Sequence, residues 1–120
     1  MGRKKILVVD DEEKIQKIYR DLFLSEGYNV LTSSNVVDAY EKVKFADIDL
    51  ILLDINMPDI DGEVLYQLTD SFFKEKKVII CSVYSLDEQK RLIADADNYY
   101  DKSQGIDVLR MKVKKILGEE

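Results

Sequence analysis

Short apolar runs of strand length alternate along this chain with stretches in which apolar residues recur every three or four positions. The runs at 6–9, 50–53 and 78–81 are nearly continuous in apolar character, as expected of strands covered on both faces. Those at 28–31 and 98–100 are shorter and more polar, which suits the edges of a sheet. Between the first two runs, Ile15, Ile18, Leu22 and Phe23 form one helical stripe. That stripe stops at Gly27, a residue suited to the left-handed conformation past a helix end. Val36, Tyr40 and Val43 mark a second helix; Leu65, Leu68 and Phe72, after Gly62, mark a third. Ser85-Leu86-Asp87-Glu88 reads as a capping box opening a fourth helix. Its stripe of Leu92, Ile93 and Ala96 is thin, which predicts the least firmly packed helix. Ile106, Leu109, Val113, Ile116 and Leu117 define the last one.

The resulting order, βαβαβαβαβα, predicts an α/β fold: a five-stranded parallel sheet with right-handed crossovers and helices on both faces. With strands two and five outermost, the doubly wound order 2-1-3-4-5 fits. No repeat or low-complexity linker divides the chain, so residues 1–120 are expected to form a single domain. In such sheets ligands sit beyond the carboxyl ends of the strands. Each polar residue of interest falls there: Asp10 and Asp11 after strand one, Asp54 after strand three, Ser82 after strand four and Lys102 after strand five. Parallel strands would bring all five to one crevice.

Three crowded carboxylates repel one another unless a cation intervenes, and their oxygens suit a hard ion such as magnesium. Cys81 should point into the core and offers no softer ligand. Asp54 is then a candidate nucleophile, because a carboxylate can attack phosphorus while magnesium and a lysine neutralise charge on the transferring oxygens. Ser82 can donate to a phosphoryl oxygen. Each residue also has an ordinary reading. Acids after a strand complement a helix start, as Glu12 and Glu13 do, Ser82 and Asp59-Ile60-Asp61-Gly62 suit turns, Lys102 suits a solvated surface, and Met57-Pro58 positions a loop. Convergence at four strand ends favours the chemical reading.

Composition narrows the field. At 46% apolar and 35% charged residues the chain is globular in type, and its net charge of −6 argues against direct nucleic-acid binding. No apolar run approaches the ~20 residues of a membrane-spanning helix, and the single cysteine allows no internal disulfide, so a cytoplasmic protein without membrane insertion is expected. There is no histidine, which excludes phosphohistidine and Ser-His or Cys-His chemistry within the chain.

Val8-Val9-Asp10-Asp11-Glu12, the run Asp54-Ile55-Asn56-Met57-Pro58-Asp59-Ile60-Asp61-Gly62, Ser82, and Tyr99-Tyr100-Asp101-Lys102 occur in that order at four strand ends. On these motifs the chain resembles the response-regulator receiver family over essentially its whole length. The resemblance implies a flavodoxin-like fold and a signalling switch. Asp54 would be the phosphoacceptor; Asp11, Asp54 and the Asn56 carbonyl would ligate magnesium, with Asp10 helping through water; Ser82 and Lys102 would contact the phosphoryl group. Tyr99 matches the aromatic that changes rotamer in many receivers, its plainer reading being a fixed edge-strand aromatic. The implied partners are a histidine kinase or histidine phosphotransfer protein, and a downstream target or output domain reached through the surface of helix four, strand five and helix five. The chain would assist its own phosphorylation and autodephosphorylation without turning over an external substrate. It departs from the family pattern at Ser103, where proline often follows the lysine, at Val83, where alanine is common and whose bulk would slow dephosphorylation, and at Asp95-Ala96, where Gly-Ala is common. Asn56 and Tyr84 hold positions that tune the phosphoryl lifetime. A haloacid-dehalogenase-type phosphatase is disfavoured because Asn56 stands where that class has its second aspartate. A receiver-like module that signals by contact alone remains the alternative. A dinucleotide site would need a glycine-rich loop where Asp10-Asp11-Glu12-Glu13 stands.

Overall fold

In the computed structural model, which describes residues 3–56, 62–72 and 75–118, five strands form one parallel sheet. They are β1 (Lys5–Val9), β2 (Asn29–Ser33), β3 (Leu50–Asp54), β4 (Lys77–Ser82) and β5 (Asn98–Asp101), in the order β2-β1-β3-β4-β5. This is the doubly wound arrangement that the pattern predicts. The register aligns the functional ends: Val9 pairs with Leu53, Asp54 with Cys81, and Ser82 with Asp101.

Period-two alternation divides the core between the two faces. Leu7, Val9, Ile51, Leu53, Val78, Ile80 and Tyr99 pack under α2 (Val36–Phe45), α3 (Gly62–Phe72) and α4 (Leu86–Leu92). Ile6, Val8, Leu50, Leu52, Ile79, Cys81 and Tyr100 pack under α1 (Glu13–Ser25) and α5 (Ile106–Ile116). The four apolar residues of β3 are essentially inaccessible, which is why they read as a continuous apolar run.

Two helix faces differ in detail from the periodic reading. Ile18 is 43% exposed, and Tyr19 turns inward in its place, so the buried stripe of α1 runs Ile15, Tyr19, Leu22, Phe23. Position 18 lies three after 15 and four before 22, so periodicity alone admits it. The inward seat goes to the larger ring at 19, four before Phe23. Ile106 opens α5 and is 36% exposed, while Leu109 and Val113 carry the burial. Tyr28 precedes β2 and packs edge-on against Phe23, with ring centroids 6.1 Å apart. The Met57-Pro58 step, the turn at 59–61 and the side chains of Leu68 and Phe72 lie outside the described residues.

Carboxylates tie down the opposite rim. Asp49 Oδ2 accepts from the Lys5 amide at 2.8 Å, and Asp97 Oδ2 from the Val78 amide at 2.7 Å, satisfying donors at the starts of β1 and β4. Gly27 ends α1 at φ +96°, as expected of a helix-terminating glycine. Asp95, at the departure from Gly-Ala, takes φ +65° on the exposed turn before β5. A left-handed residue with a Cβ costs about 1–2 kcal/mol, less for aspartate, and glycine returns part of the gain as unfolded-chain entropy. Asp95→Gly is therefore expected to raise stability by about 0.5 kcal/mol and Asp95→Val to lower it by about 1 kcal/mol, read from urea midpoints.

Candidate functional site

The five residues that end or follow the strands converge. Asp10 and Asp54 are 1% and 3% exposed, and each is held in the same way. One carboxylate oxygen accepts a local backbone N–H, Asp10 Oδ1 from Glu12 at 2.9 Å and Asp54 Oδ1 from Asn56 at 2.8 Å. The other oxygen faces Lys102, whose Nζ lies 3.0 Å from Asp10 Oδ2 and 3.6 Å from Asp54 Oδ2. Lys102 thus bridges the two buried acids.

The backbone of Asp10 is also fixed. Its N–H donates to the Ser33 carbonyl at the end of β2 at 3.0 Å, and its carbonyl accepts from Gln16 Nε2 at 2.6 Å. Asp11 and Glu12 are exposed at the mouth, and one oxygen from each of Asp10, Asp11 and Glu12 lies within 4.8 Å of the others. Glu12, which the sequence places only at a helix start, therefore joins the acidic cluster. Lys102 begins a 3-10 turn (Lys102–Gln104) after a trans peptide bond to its neighbour Ser103. Asp101 caps that turn, accepting from the Ser103 amide at 2.9 Å, while Gln104 Oε1 accepts from the Asp101 amide at 3.3 Å. A capping box thus shapes the loop that lacks the proline.

The electrostatics follow first from burial. Burial pushes the Asp54 carboxyl above its ordinary range; the Asn56 N–H and Lys102 pull against this, and Asp10 and Asp11 add repulsion. Burial alone would lower the Lys102 ammonium, but Asp54 and Asp10 outweigh it and hold the group above the usual lysine value. Cys81 is wholly buried, and burial drives its thiol up, so it stays protonated and is no ligand. The accessible donors are oxygens, which suits a small hard cation.

Ser82 has no exposed surface, and its hydroxyl is fully engaged. It donates to Asn56 Oδ1 at 2.5 Å and accepts from the Tyr84 amide at 3.0 Å. Val83 and Tyr84 are exposed beside it. Tyr99 is already inside: its hydroxyl donates to the Ile93 carbonyl at 2.6 Å and accepts from the Ala96 amide at 3.1 Å. Lys112 donates to its backbone carbonyl, and Lys90 lies 5.9 Å from the ring centroid. Three supporting residues escape sequence reasoning. Gln16 and Ser33 leave no periodic signal. Gln89 does leave one, being a polar residue at the inward position of the thin α4 stripe, three after Leu86 and four before Ile93.

A doubly wound sheet carrying two buried acids bridged by a lysine at its carboxyl rim defines an α/β protein with an anionic, oxygen-rich crevice. The chain belongs to the response regulator receiver domain family, whose model matches residues 6–114. It is 32% identical over 121 residues to sporulation initiation phosphotransferase F of Bacillus subtilis, covering 98% of this chain and 96% of that relative. Among solved structures it resembles the response regulator protein TrrA of Thermotoga maritima in complex with Mg(2+)-BeF. That match has 36% identity and a TM-score of 0.83, and covers 94% of this chain and 98% of that one. The structure of TrrA with the histidine kinase ThkA matches at 37% identity and TM-score 0.86, covering 95% and 98%. The protein is thus a phosphoryl-accepting signalling switch of the two-component type.

Proposed function

We propose that Asp54 is the phosphoacceptor, that the chain binds magnesium, and that residues 1–120 act as one receiver unit in the cytoplasm. The carrying observation is the pairing of Asp54 and Asp10 about Lys102 at the ends of β3 and β1, with Ser82 at the end of β4. A separate phosphohistidine protein, a histidine kinase or phosphotransfer protein as in the TrrA complex, would supply the phosphoryl group. An Asp54 carboxylate oxygen attacks phosphorus as the donor's P–N bond breaks, and the leaving imidazole takes a proton. Lys102, whose Nζ lies 3.6 Å from Asp54 Oδ2, would pair with the new phosphoryl oxygens. Ser82 reaches them by exchanging Asn56 Oδ1 for a phosphoryl oxygen.

Asp11, Asp54 and the Asn56 carbonyl are the donors that would hold magnesium, with Asp10 reaching it through water. When bound, the ion neutralises charge on the transferring oxygens. Water would attack phosphorus as its bond to the Asp54 oxygen breaks, releasing inorganic phosphate and restoring the carboxylate, and Asn56, Val83 and Tyr84 would set the rate by how they crowd that approach. The chain in this reading assists its own gain and loss of the group and carries the signal to a protein target or output domain through α4, β5 and α5.

Intact mass after acetyl phosphate treatment tests the assignment. The wild type is expected to gain one phosphoryl mass with magnesium and none without it. A wild type that stays unlabelled even with competent kinases would instead favour a module that works by contact alone.

A further inference from the structure

Resting on Asp54 as phosphoacceptor, we infer that Gln89 is the positioning residue through which displacement of Ser82 is transmitted to both α4 and β5. Gln89 is fully buried, and among the described residues it is one of few buried polar side chains outside the acidic crevice. Its Nε2 donates to two backbone carbonyls from different parts of the chain, Tyr84 and Tyr100, both at 2.9 Å. A single amide group therefore holds the β4–α4 loop and strand β5 together from inside α4. Its Oε1 is buried without a hydrogen-bond partner, so the side chain is seated by its donors.

The chain of bonds is continuous. Asn56 Oδ1 accepts from Ser82 Oγ, which accepts from the Tyr84 amide; the Tyr84 carbonyl accepts from Gln89, and Gln89 reaches Tyr100. Ser82 cannot donate to a phosphoryl oxygen while its one hydroxyl proton is directed at Asn56 Oδ1. Releasing that bond moves Ser82 and the Tyr84 peptide tied to it. Because Gln89 grips the far side of the same residue, the movement passes to α4 and, through the second donor, to β5. The Gln89 carbonyl also accepts from the Ile93 amide, and the Ile93 carbonyl accepts from the Tyr99 hydroxyl. The aromatic of the switch surface thus hangs from the same helical turn. A merely structural glutamine would fix α4 without coupling it to Ser82.

Gln89→Met keeps the length of the side chain and removes both donors. Its amide spectra are to be compared with wild type, with and without beryllofluoride and magnesium, and the phosphoryl mass gain from acetyl phosphate recorded for both proteins. The variant is expected to gain the mass and to keep the shifts at Asp11 and Asn56, while shifts at 86–93 and 98–101 fall to less than half of the wild-type size. Full-sized distant shifts in a labelled Gln89→Met would overturn the inference and leave the Asp54 assignment standing. Absence of mass gain in the wild type, even with competent kinases, would overturn both. Should Gln89→Met not fold, the side-chain amide signals of Gln89 in the wild type decide the question. They are expected to move on adding beryllofluoride and magnesium, and unmoved signals beside shifted Asp11 would refute the coupling.

Discussion

Lys102→Met is expected to lower stability by about 2 kcal/mol at neutral pH, roughly 8 °C in melting temperature for a domain of this size. The lysine stands between two carboxylates that are almost wholly buried, while its own side chain is 16% exposed. Removing it leaves Asp10 and Asp54 facing one another without a countercharge. Complete burial would cost about 3–5 kcal/mol, and access of water at the mouth reduces this. The pH dependence has a definite sign. The folded Lys102 pKa is raised, so its stabilisation is fully present below the unfolded lysine value of about 10.4 and is lost as pH rises through the folded value. On the acid side the difference from wild type should shrink as Asp54 takes up its proton. Magnesium should restore part of the lost stability in the variant, since a cation among the same oxygens replaces the missing charge. Thermal unfolding with and without magnesium checks this, and an unchanged melting temperature without the metal would show that Lys102 does not hold the acids together. In an Asp54→Asn background the same substitution should cost less, because only one carboxylate is then left unpaired.

The parts of the fold that the sequence reveals are those set by single-residue patterns repeated along one element. Leu50-Ile51-Leu52-Leu53 is buried on both faces, so it reads as an inner strand without knowledge of its neighbours. The edge strand β2 reads as polar because only Ser33 of its five residues is buried. Once the sheet order is fixed, the crevice follows from chain direction: every candidate acid, hydroxyl and amine stands at a carboxyl end, and parallel strands leave them no other meeting place. The illegible features belong to pairs of residues distant in sequence. Nothing in one dimension distinguishes Ile18 from Tyr19 as the inward residue. Nor does it show that Asn56 binds Ser82 across 26 positions, or that Gln16 holds the carbonyl of Asp10.

Asn56 illustrates the difference most clearly. Its motif position implies a metal-binding carbonyl, a property of the backbone that any residue there would share. Its side chain has a separate contact, Oδ1 accepting a hydrogen bond from the Ser82 hydroxyl at 2.5 Å. Position 89 is the converse case: a polar residue at an inward position of α4 leaves a periodic signal, but its two carbonyl partners emerge only when the β4–α4 loop and β5 are brought together.

Asp54→Asn is expected to abolish phosphoryl labelling and, without magnesium, to make the protein more stable by on the order of 1 kcal/mol at neutral pH. Burial of the Asp54 carboxylate is the larger cost of ionising it, and the neighbouring charges of Asp10 and Asp11 add repulsion. Together the two raise the folded pKa of Asp54 against the pull of the Asn56 N–H and Lys102. Between the unfolded and folded values the native state binds the additional proton, so raising pH through that window costs stability, and above it the loss is complete. Asparagine is never ionised and escapes that loss. It still offers Oδ1 to the Asn56 amide, and Lys102 keeps its nearer partner, Asp10, at 3.0 Å. The advantage of the variant should therefore be greatest at neutral pH and vanish below the unfolded aspartate value of about 3.9. Magnesium should raise the melting temperature of the wild type more than that of Asp54→Asn, because the wild type supplies one more anionic oxygen donor. Melting curves at neutral and acid pH, with intact mass on the same samples, separate the two claims. A variant no more stable than wild type at neutral pH would refute the argument from burial and repulsion, whereas continued labelling of the variant would move the phosphoacceptor away from Asp54.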